Sequence, residues 1–121
     1  MTRIPATVLA LMFTSPLAAE TSLPVLTLLD GAPPGLAASL LLDPAGSIAG
    51  RGPCNRYSAP QMADLPAFKV ETIISTKMAC ADLAAEQLFF DLLTQMEHAE
   101  QSGGVLSLTG AGHVMVFSSR P

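Results

Sequence analysis

A chain of 121 residues with a formal net charge of −4 is long enough for one domain, and half of its residues are hydrophobic, which suffices for a modest core. Binding to nucleic acids or to anionic membranes needs clustered positive charge. The six Lys and Arg residues are scattered along the chain, so the composition disfavours both functions.

The first residues have the pattern of an export signal. Arg3 supplies a positive start, Ile4 to Phe13 form an apolar run too short to cross a bilayer, and small residues follow as far as Ala19. We predict a signal peptide at residues 1–19 and a mature domain at residues 20–121, in the periplasm or secreted. The alternative is a buried N-terminal strand or helix. No later apolar run reaches about 18 residues, so no membrane span is predicted after signal removal.

The next part of the chain contains short apolar runs separated by turn residues, a rhythm typical of an antiparallel meander. Strands are predicted at 23–29, 36–42 and 47–51. A helical turn is the alternative for the second, because Ala and Leu are weak strand formers. A proline-containing loop is predicted at 58–67. The alternating pattern of FKVETII predicts a further strand at 68–74.

The one predicted helix extends from Ala81 to Met96, where apolar residues recur at spacings of three and four. This face is expected to pack on the sheet, a partner-docking stripe being the less common alternative. Its residues are Ala85, Leu88, Phe89, Leu92, Leu93 and Met96. Strands at 105–108 and 113–117, separated by Gly110-Ala111-Gly112, predict a terminal hairpin. The pattern therefore predicts a mainly β (α+β) fold with one helix.

Cys54 and Cys80 are predicted to form a disulfide, because an even cysteine count in an exported chain indicates one. The bridge would close a loop of 27 residues. A nucleophilic thiol would need a partner such as His98 or His113. A zinc site would need all four residues from distant segments. Neither alternative has a local signature, so no catalytic residue, no metal site and no cofactor are predicted.

The remaining polar candidates are interpreted as structural. Asp82, Glu86 and Asp91 are predicted to be solvated charges on or near the outer face of the helix, without a shared cleft for acid–base chemistry. Asn55 and Arg56 are predicted to organise the turn around Cys54, since Asn tolerates turn conformations and Arg can hold carbonyl groups.

The chain contains two motifs, G-x-x-P-CNRYS at residues 50–58 and STKMAC at residues 75–80, followed by a helix and a terminal hairpin. In this order they resemble the META domain family, which includes the heat-shock protein HslJ. Pro53 stands where the family usually has glycine, and the family's first-strand tryptophan is absent. The resemblance covers roughly residues 23–118. The matched positions are Cys54, Asn55, Arg56, Tyr57, Ser75, Thr76, Lys77, Met78, Ala79 and Cys80.

The resemblance implies a small antiparallel β-barrel or strongly curved sheet of lipocalin-like topology, with one packed helix, exported to the bacterial cell envelope. Members are associated with heat or envelope stress, and no enzymatic mechanism is established for the family. We therefore expect a monomeric, non-enzymatic, disulfide-stapled module that binds an envelope protein or a small ligand. The alternatives are a small envelope inhibitor, an apolar-ligand-binding β-barrel and, less favoured, a thiol-dependent enzyme or redox sensor.

Overall fold

The computed structural model describes residues 23–119, and the predicted signal peptide at residues 1–19 lies outside them. Within this range eight strands and one helix follow one another along the chain. They are β1 (Val25–Leu29), β2 (Leu41–Asp43), β3 (Ser47–Arg51), β4 (Arg56–Pro60), β5 (Ile74–Ser75), α1 (Leu83–Gln95), β6 (His98–Ser102), β7 (Val105–Gly110) and β8 (His113–Ser118).

The strands form two four-stranded antiparallel sheets. The first has the order β1-β8-β7-β6 and the second the order β2-β3-β4-β5. The predicted terminal hairpin is confirmed: β7 and β8 pair around the two-residue turn Ala111-Gly112, and both turn residues have positive φ. Such a turn matches the twist of the strands it joins. The fold is therefore mainly β with one helix, as predicted.

No closed barrel is found within residues 23–119, so the predicted barrel and lipocalin-like shape are not confirmed. The two sheets are connected by isolated backbone contacts. Leu26 N donates to Ala38 O, and Ser39 N donates to Arg51 O, so one irregular segment links β1 to β3. Residues 66–68 contact β6 in a similar way. A few isolated backbone hydrogen bonds at these two junctions take the place of the continuous ladders that a closed barrel needs.

The strands predicted at 36–42 and 68–74 are mostly irregular. Only Leu41 and Leu42 of the first join a ladder, and only Ile74 of the second. Phe68 and Val70 are nevertheless buried. Phe68 N donates to Glu97 O and Lys69 N donates to Gln61 Oε1, so these two backbone groups are satisfied outside a regular strand ladder.

Two further differences concern strand positions. The predicted loop at 58–67 begins too early, because Ser58 to Pro60 belong to β4. The strand β6 was not predicted. Its sequence is polar and its last three residues are exposed, so it carries neither the apolar alternation nor the β-branched residues that indicate a strand.

The helix α1 is two residues shorter at its start than predicted and ends one residue earlier. Its Asp82 N-cap makes no side-chain capping bond, so packing must hold the helix in place. The centroid of the Phe89 ring lies 5.6 Å from the ring centroid of Tyr57 in β4 and 6.4 Å from that of Phe117 in β8, so the helix contacts both sheets. Leu88 belongs to the predicted buried face, but it is half exposed. The buried apolar residues of the predicted face are Phe89, Leu92, Leu93 and Met96.

Within residues 23–119, no helix is both long enough and apolar enough to cross a membrane.

Candidate functional site

A disulfide joins the two sequence motifs. Cys54, between β3 and β4, is bonded to Cys80, which lies shortly before α1, and their Cα atoms are 6.2 Å apart. Cys54 is buried, whereas Cys80 is exposed. The bonded sulfur atoms are not thiolates, so in this oxidised state they can act neither as nucleophiles nor as zinc ligands.

Glu86, on the first turn of α1, lies beneath this disulfide and is only 4% exposed. The prediction that it lies on the outer face is therefore wrong. Its Oε2 accepts hydrogen bonds from Cys54 N at 2.9 Å and Asn55 N at 2.6 Å, and its Oε1 accepts one from Asn55 Nδ2 at 2.8 Å. A carboxylate taken out of water needs such donors, because desolvation without them is costly. Asp82 and Asp91 are exposed, as predicted.

The hydrogen bonds also decide the charge of Glu86. Burial opposes its ionisation, but the bonds from Asn55 and Cys54 outweigh that effect and hold the pKa of the carboxyl below its ordinary value. The carboxylate is therefore charged at neutral pH. Its position near the helix N-terminus is also favourable for a negative charge.

The Asn55 side chain connects the first motif to the second. Its Oδ1 accepts hydrogen bonds from Met78 N at 2.7 Å and Thr76 Oγ1 at 2.9 Å. Its Nδ2 donates to Met78 O at 3.3 Å as well as to Glu86. Both donor and both acceptor positions of the amide are thus occupied. Asn55 therefore holds the segment after β5 in place, and Glu86 attaches the helix to the same turn.

The remaining motif residues divide into buried and exposed positions. Tyr57 is buried, and its hydroxyl donates to Ser39 O at 2.7 Å. Burial raises the pKa of the Tyr57 phenol, so it stays neutral. Arg56 and Lys77 are exposed, and the structure does not bring their charged groups into the network around Glu86.

Gly52 allows the carboxylate to approach the turn. A Cβ atom at this position would lie 2.7 Å from Glu86 Oε2. We expect Gly52→Ala to lower the free energy of unfolding by about 1–3 kcal/mol, because the carboxylate must move away from its donors. Urea denaturation measures this change. In a Glu86→Ala background the clashing atoms are gone, so the glycine substitution should cost little. Additive effects of the two substitutions would contradict the contact.

An open cleft of about 570 Å³ lies between α1 and the segment 73–79. Asn55 and Glu86, both buried, form its base. The helix contributes a stripe along almost its whole length, and the opposite wall consists of residues from β5 and the second motif. The residues of the helix stripe are Leu83, Glu86, Gln87, Phe90, Asp91 and Thr94. The residues of the opposite wall are Ile73, Ser75, Thr76, Lys77, Met78 and Ala79.

Sequence reasoning missed both Glu86 and the cleft. One signal for Glu86 was available, because it lies three and seven residues before the buried Phe89 and Leu93 and is therefore in register with the packed face. The cleft had no such signal, since its walls come from segments that only the fold brings together.

These features define a class of protein: a small, disulfide-linked α+β domain in which one network attaches a helix and an irregular segment to a single turn. The META domain family model matches residues 24–121, and the chain belongs to this family. The resemblance carried by the two motifs is thereby confirmed. No curated protein matches the chain.

Two solved structures are similar in fold. The NMR structure of a protein from Burkholderia xenovorans has a TM-score of 0.60 and 17% identity, over 93% of this chain and 99% of that one. The crystal structure of a DUF4847 family protein from Bacteroides vulgatus ATCC 8482 has a TM-score of 0.54 and 14% identity, over 67% of this chain. The match spans 57% of the length of the Bacteroides protein. At these identities the similarity shows the fold alone.

Proposed function

We propose that this chain is a non-enzymatic binding module of the bacterial cell envelope, exported to the periplasm or secreted, and that the cleft beside α1 is its binding site. The observation that carries this proposal is that both sequence motifs take part in supporting the cleft. Thr76 and Met78 of the second motif each donate a hydrogen bond to Asn55 of the first, and these bonds hold one wall of the cleft. A support shared by both motifs suits a surface that must keep its shape.

The chemistry of the cleft favours binding over catalysis. A general acid or base must present a free proton or lone pair to its substrate. Glu86 instead has both carboxylate oxygens engaged by internal N–H groups. Met78 and Leu83 are 58% and 45% exposed at the cleft walls. Covering such apolar surface releases free energy, so these side chains support the binding of a partner or ligand.

A ligand buried between the sheets, as an apolar-ligand-binding barrel would hold it, is not favoured by the packing. Side chains from both sheets and from α1 fill that interior and are fully buried. The cleft is therefore the better candidate site. The largest of these core side chains are Phe89, Phe117, Leu40, Ile48 and Leu93.

The proposal is tested by placing a bulky side chain in the cleft. Thr94 is exposed on the helix stripe, so Thr94→Trp would place an indole in the cleft without touching the Glu86 network. Leu88→Trp is the matched control, since Leu88 is exposed on the same helix but does not line the cleft. Intact mass spectrometry and chemical cross-linking on envelope fractions measure processing and bound partners.

We expect the wild type and Leu88→Trp to give the same cross-linked species, and Thr94→Trp to lose them while keeping the wild-type melting temperature within a few degrees. If Thr94→Trp retains every species, the cleft is not the binding site. A turnover reaction of the purified protein that a single substitution abolishes would contradict the non-enzymatic assignment.

A further inference from the structure

The strand β5 contributes to one wall of the cleft and has an open edge. It is the last strand of its sheet and pairs with β4 through Tyr57↔Ser75 and Ser58↔Ile74. No described strand lies on its other side. An open strand edge presents N–H and C=O groups that another chain can pair with.

The register shows which groups face that edge. Thr76 N donates to Arg56 O at 3.0 Å, so these two residues are bonded to each other across the strands. In an antiparallel ladder, bonded and non-bonded pairs alternate. Ser75, opposite Tyr57, is therefore in a non-bonded pair, and its N–H and C=O point away from β4. No hydrogen bond to the Ser75 backbone is found among the residues from 23 to 119 outside this ladder.

The cleft has the length of a short extended peptide. The helix stripe extends from Leu83 to Thr94, which is about 17 Å at 1.5 Å per residue. An extended chain advances about 3.3 Å per residue, so about five residues would match the stripe. On the opposite wall Ile73 and Ser75 line the cleft, whereas Ile74 does not. This alternation shows that one face of β5, the face it shares with Tyr57, lines the cleft. A strand added at the edge of β5 would direct alternate side chains to that same face, towards the helix stripe.

The two walls carry charges of opposite sign, so they complement a peptide that has both an acidic and a basic residue. Lys77 is exposed on the wall that follows β5, and Asp91 is exposed on the helix wall. The Glu86 carboxylate does not compete for a cation, since its oxygens already accept three N–H bonds. A peptide with an acidic residue towards Lys77 and a basic residue towards Asp91 would pair with both walls. Met78, Leu83 and Phe90 also line the cleft and offer apolar contacts.

We infer that the cleft binds an extended segment of a partner protein, with alternating apolar residues and charges of both signs, as an added strand on β5. This inference rests on the proposed function and names the ligand class for the same cleft. Main-chain hydrogen bonds to Ser75 fix the register of the added strand. The helix stripe and Met78 contact the side chains of the bound segment and so determine which sequences bind.

The experiment uses a library of capped seven-residue peptides with alternating apolar and polar residues, titrated into the mature, oxidised protein and followed by NMR. We expect members with one acidic and one basic residue to bind with a Kd below about 1 mM and to shift the amide signals of Ile73, Ser75 and Lys77. If no member of the library reaches that affinity, the inference is wrong.

Two substitutions separate strand addition from side-chain binding. Ser75→Pro removes the outward N–H and is compatible with an edge strand, because the lost N–H does not bond β4. Ser75→Ala is the matched control and keeps that group. We expect Ser75→Ala to bind within about 2-fold of the wild type and Ser75→Pro to bind at least about 10-fold more weakly.

N-methylated peptides give the same test without altering the protein. Methylating the alternate residues whose N–H groups face β5 should weaken binding at least about 10-fold, whereas methylating the other set should leave it nearly unchanged. Equal effects of the two sets would overturn strand addition. The test with N-methylated peptides remains valid even if Ser75→Pro fails to fold.

The outcomes also distinguish this inference from the proposed function. If Thr94→Trp abolishes binding but Ser75→Pro and both methylated sets do not, the cleft is a binding site and strand addition is wrong. If sedimentation shows a dimer that Ser75→Pro dissociates, the edge pairs with a second copy of this chain, and the inferred partner segment is wrong.

Discussion

Replacing Glu86 with alanine is expected to lower the free energy of unfolding by about 3–5 kcal/mol. The substitution leaves three buried N–H bonds without an acceptor: those of Cys54 N and Asn55 N, and one of the two on Asn55 Nδ2. Each unsatisfied buried group costs about 1–3 kcal/mol. The substitution also leaves a cavity that water can partly enter, so the total cost stays below the sum for three unsatisfied groups. Because a small domain is stable by only about 5–15 kcal/mol, this single change would bring it close to unfolding.

Urea denaturation at neutral pH measures the effect of the Glu86 substitution. Gln87→Ala is the control, since Gln87 is an exposed neighbour on the same helix, and it should change the stability by less than about 0.5 kcal/mol. Similar losses for Glu86→Ala and Gln87→Ala would show that the buried network does not stabilise the fold. Glu86→Gln should lie between the wild type and Glu86→Ala, because its amide oxygen can still accept part of the hydrogen bonding.

The pH dependence of the free energy of unfolding distinguishes a charged role of Glu86 from a purely steric one. Its carboxyl has a lowered pKa in the folded protein, so its stabilisation is fully present above the ordinary glutamate pKa of about 4.3. That stabilisation is lost as the pH falls through the folded-state value. The wild type should therefore lose more stability than Glu86→Gln between pH 6 and pH 2. Parallel stability curves for the two proteins would contradict the charged network.

Removing the disulfide is expected to have an effect of similar size. The cross-link closes a loop with a sequence separation of 26, and restricting such a loop in the unfolded chain is worth about 3.5 kcal/mol. The double substitution Cys54→Ala and Cys80→Ala should lower the free energy of unfolding by about this amount. The wild type with reductant should behave in the same way.

Alkylation followed by intact mass measurement tests the cross-link directly. No label should enter the folded oxidised protein, and two labels should enter after reduction and unfolding. Labelling of Cys80 without reductant would contradict the bridge, because Cys80 is at the exposed end of the disulfide and would be accessible as a free thiol. A double variant as stable as the wild type would show that the cross-link contributes little to the fold.

The two perturbations should not be additive. The disulfide and Glu86 both act on the turn that holds Cys54 and Asn55. Once the turn is released by one change, the other removes contacts that are already weakened. The segment from Thr76 to Met78 depends on the same turn through the Asn55 amide. The stability of the turn and the shape of the cleft are thus linked.

Several elements could be predicted from the sequence because their determinants are local. The helix was recognised from its apolar periodicity, and its core residues Phe89, Leu92 and Leu93 are buried as predicted. The terminal hairpin followed from glycine-containing turn chemistry between two apolar runs. The strand β3 was predicted with its observed bounds. Each of these patterns lies within a short stretch of the chain, where side-chain alternation and turn preferences act directly on the backbone.

Other features could not be predicted because distant segments decide them. The segment from Leu36 to Leu40 is apolar enough for a strand, yet it bridges β1 and β3 by only a few isolated backbone bonds. The polar β6 becomes a strand because β7 pairs with it. Whether the sheets close into a barrel depends on contacts at both junctions between them, and no short sequence pattern reports those contacts.

The residues of the chain by themselves specified the family motifs, the helix, the final hairpin and the pair of cysteines available for a cross-link. Only the tertiary structure decided that Glu86 is buried and that a cleft opens above it. The reason is physical. A glutamate is normally solvated because its charge is costly to bury, and this one is buried because N–H groups 31 and 32 residues away converge on it. That convergence is a property of the folded chain, and the cleft between α1 and β5 exists for the same reason.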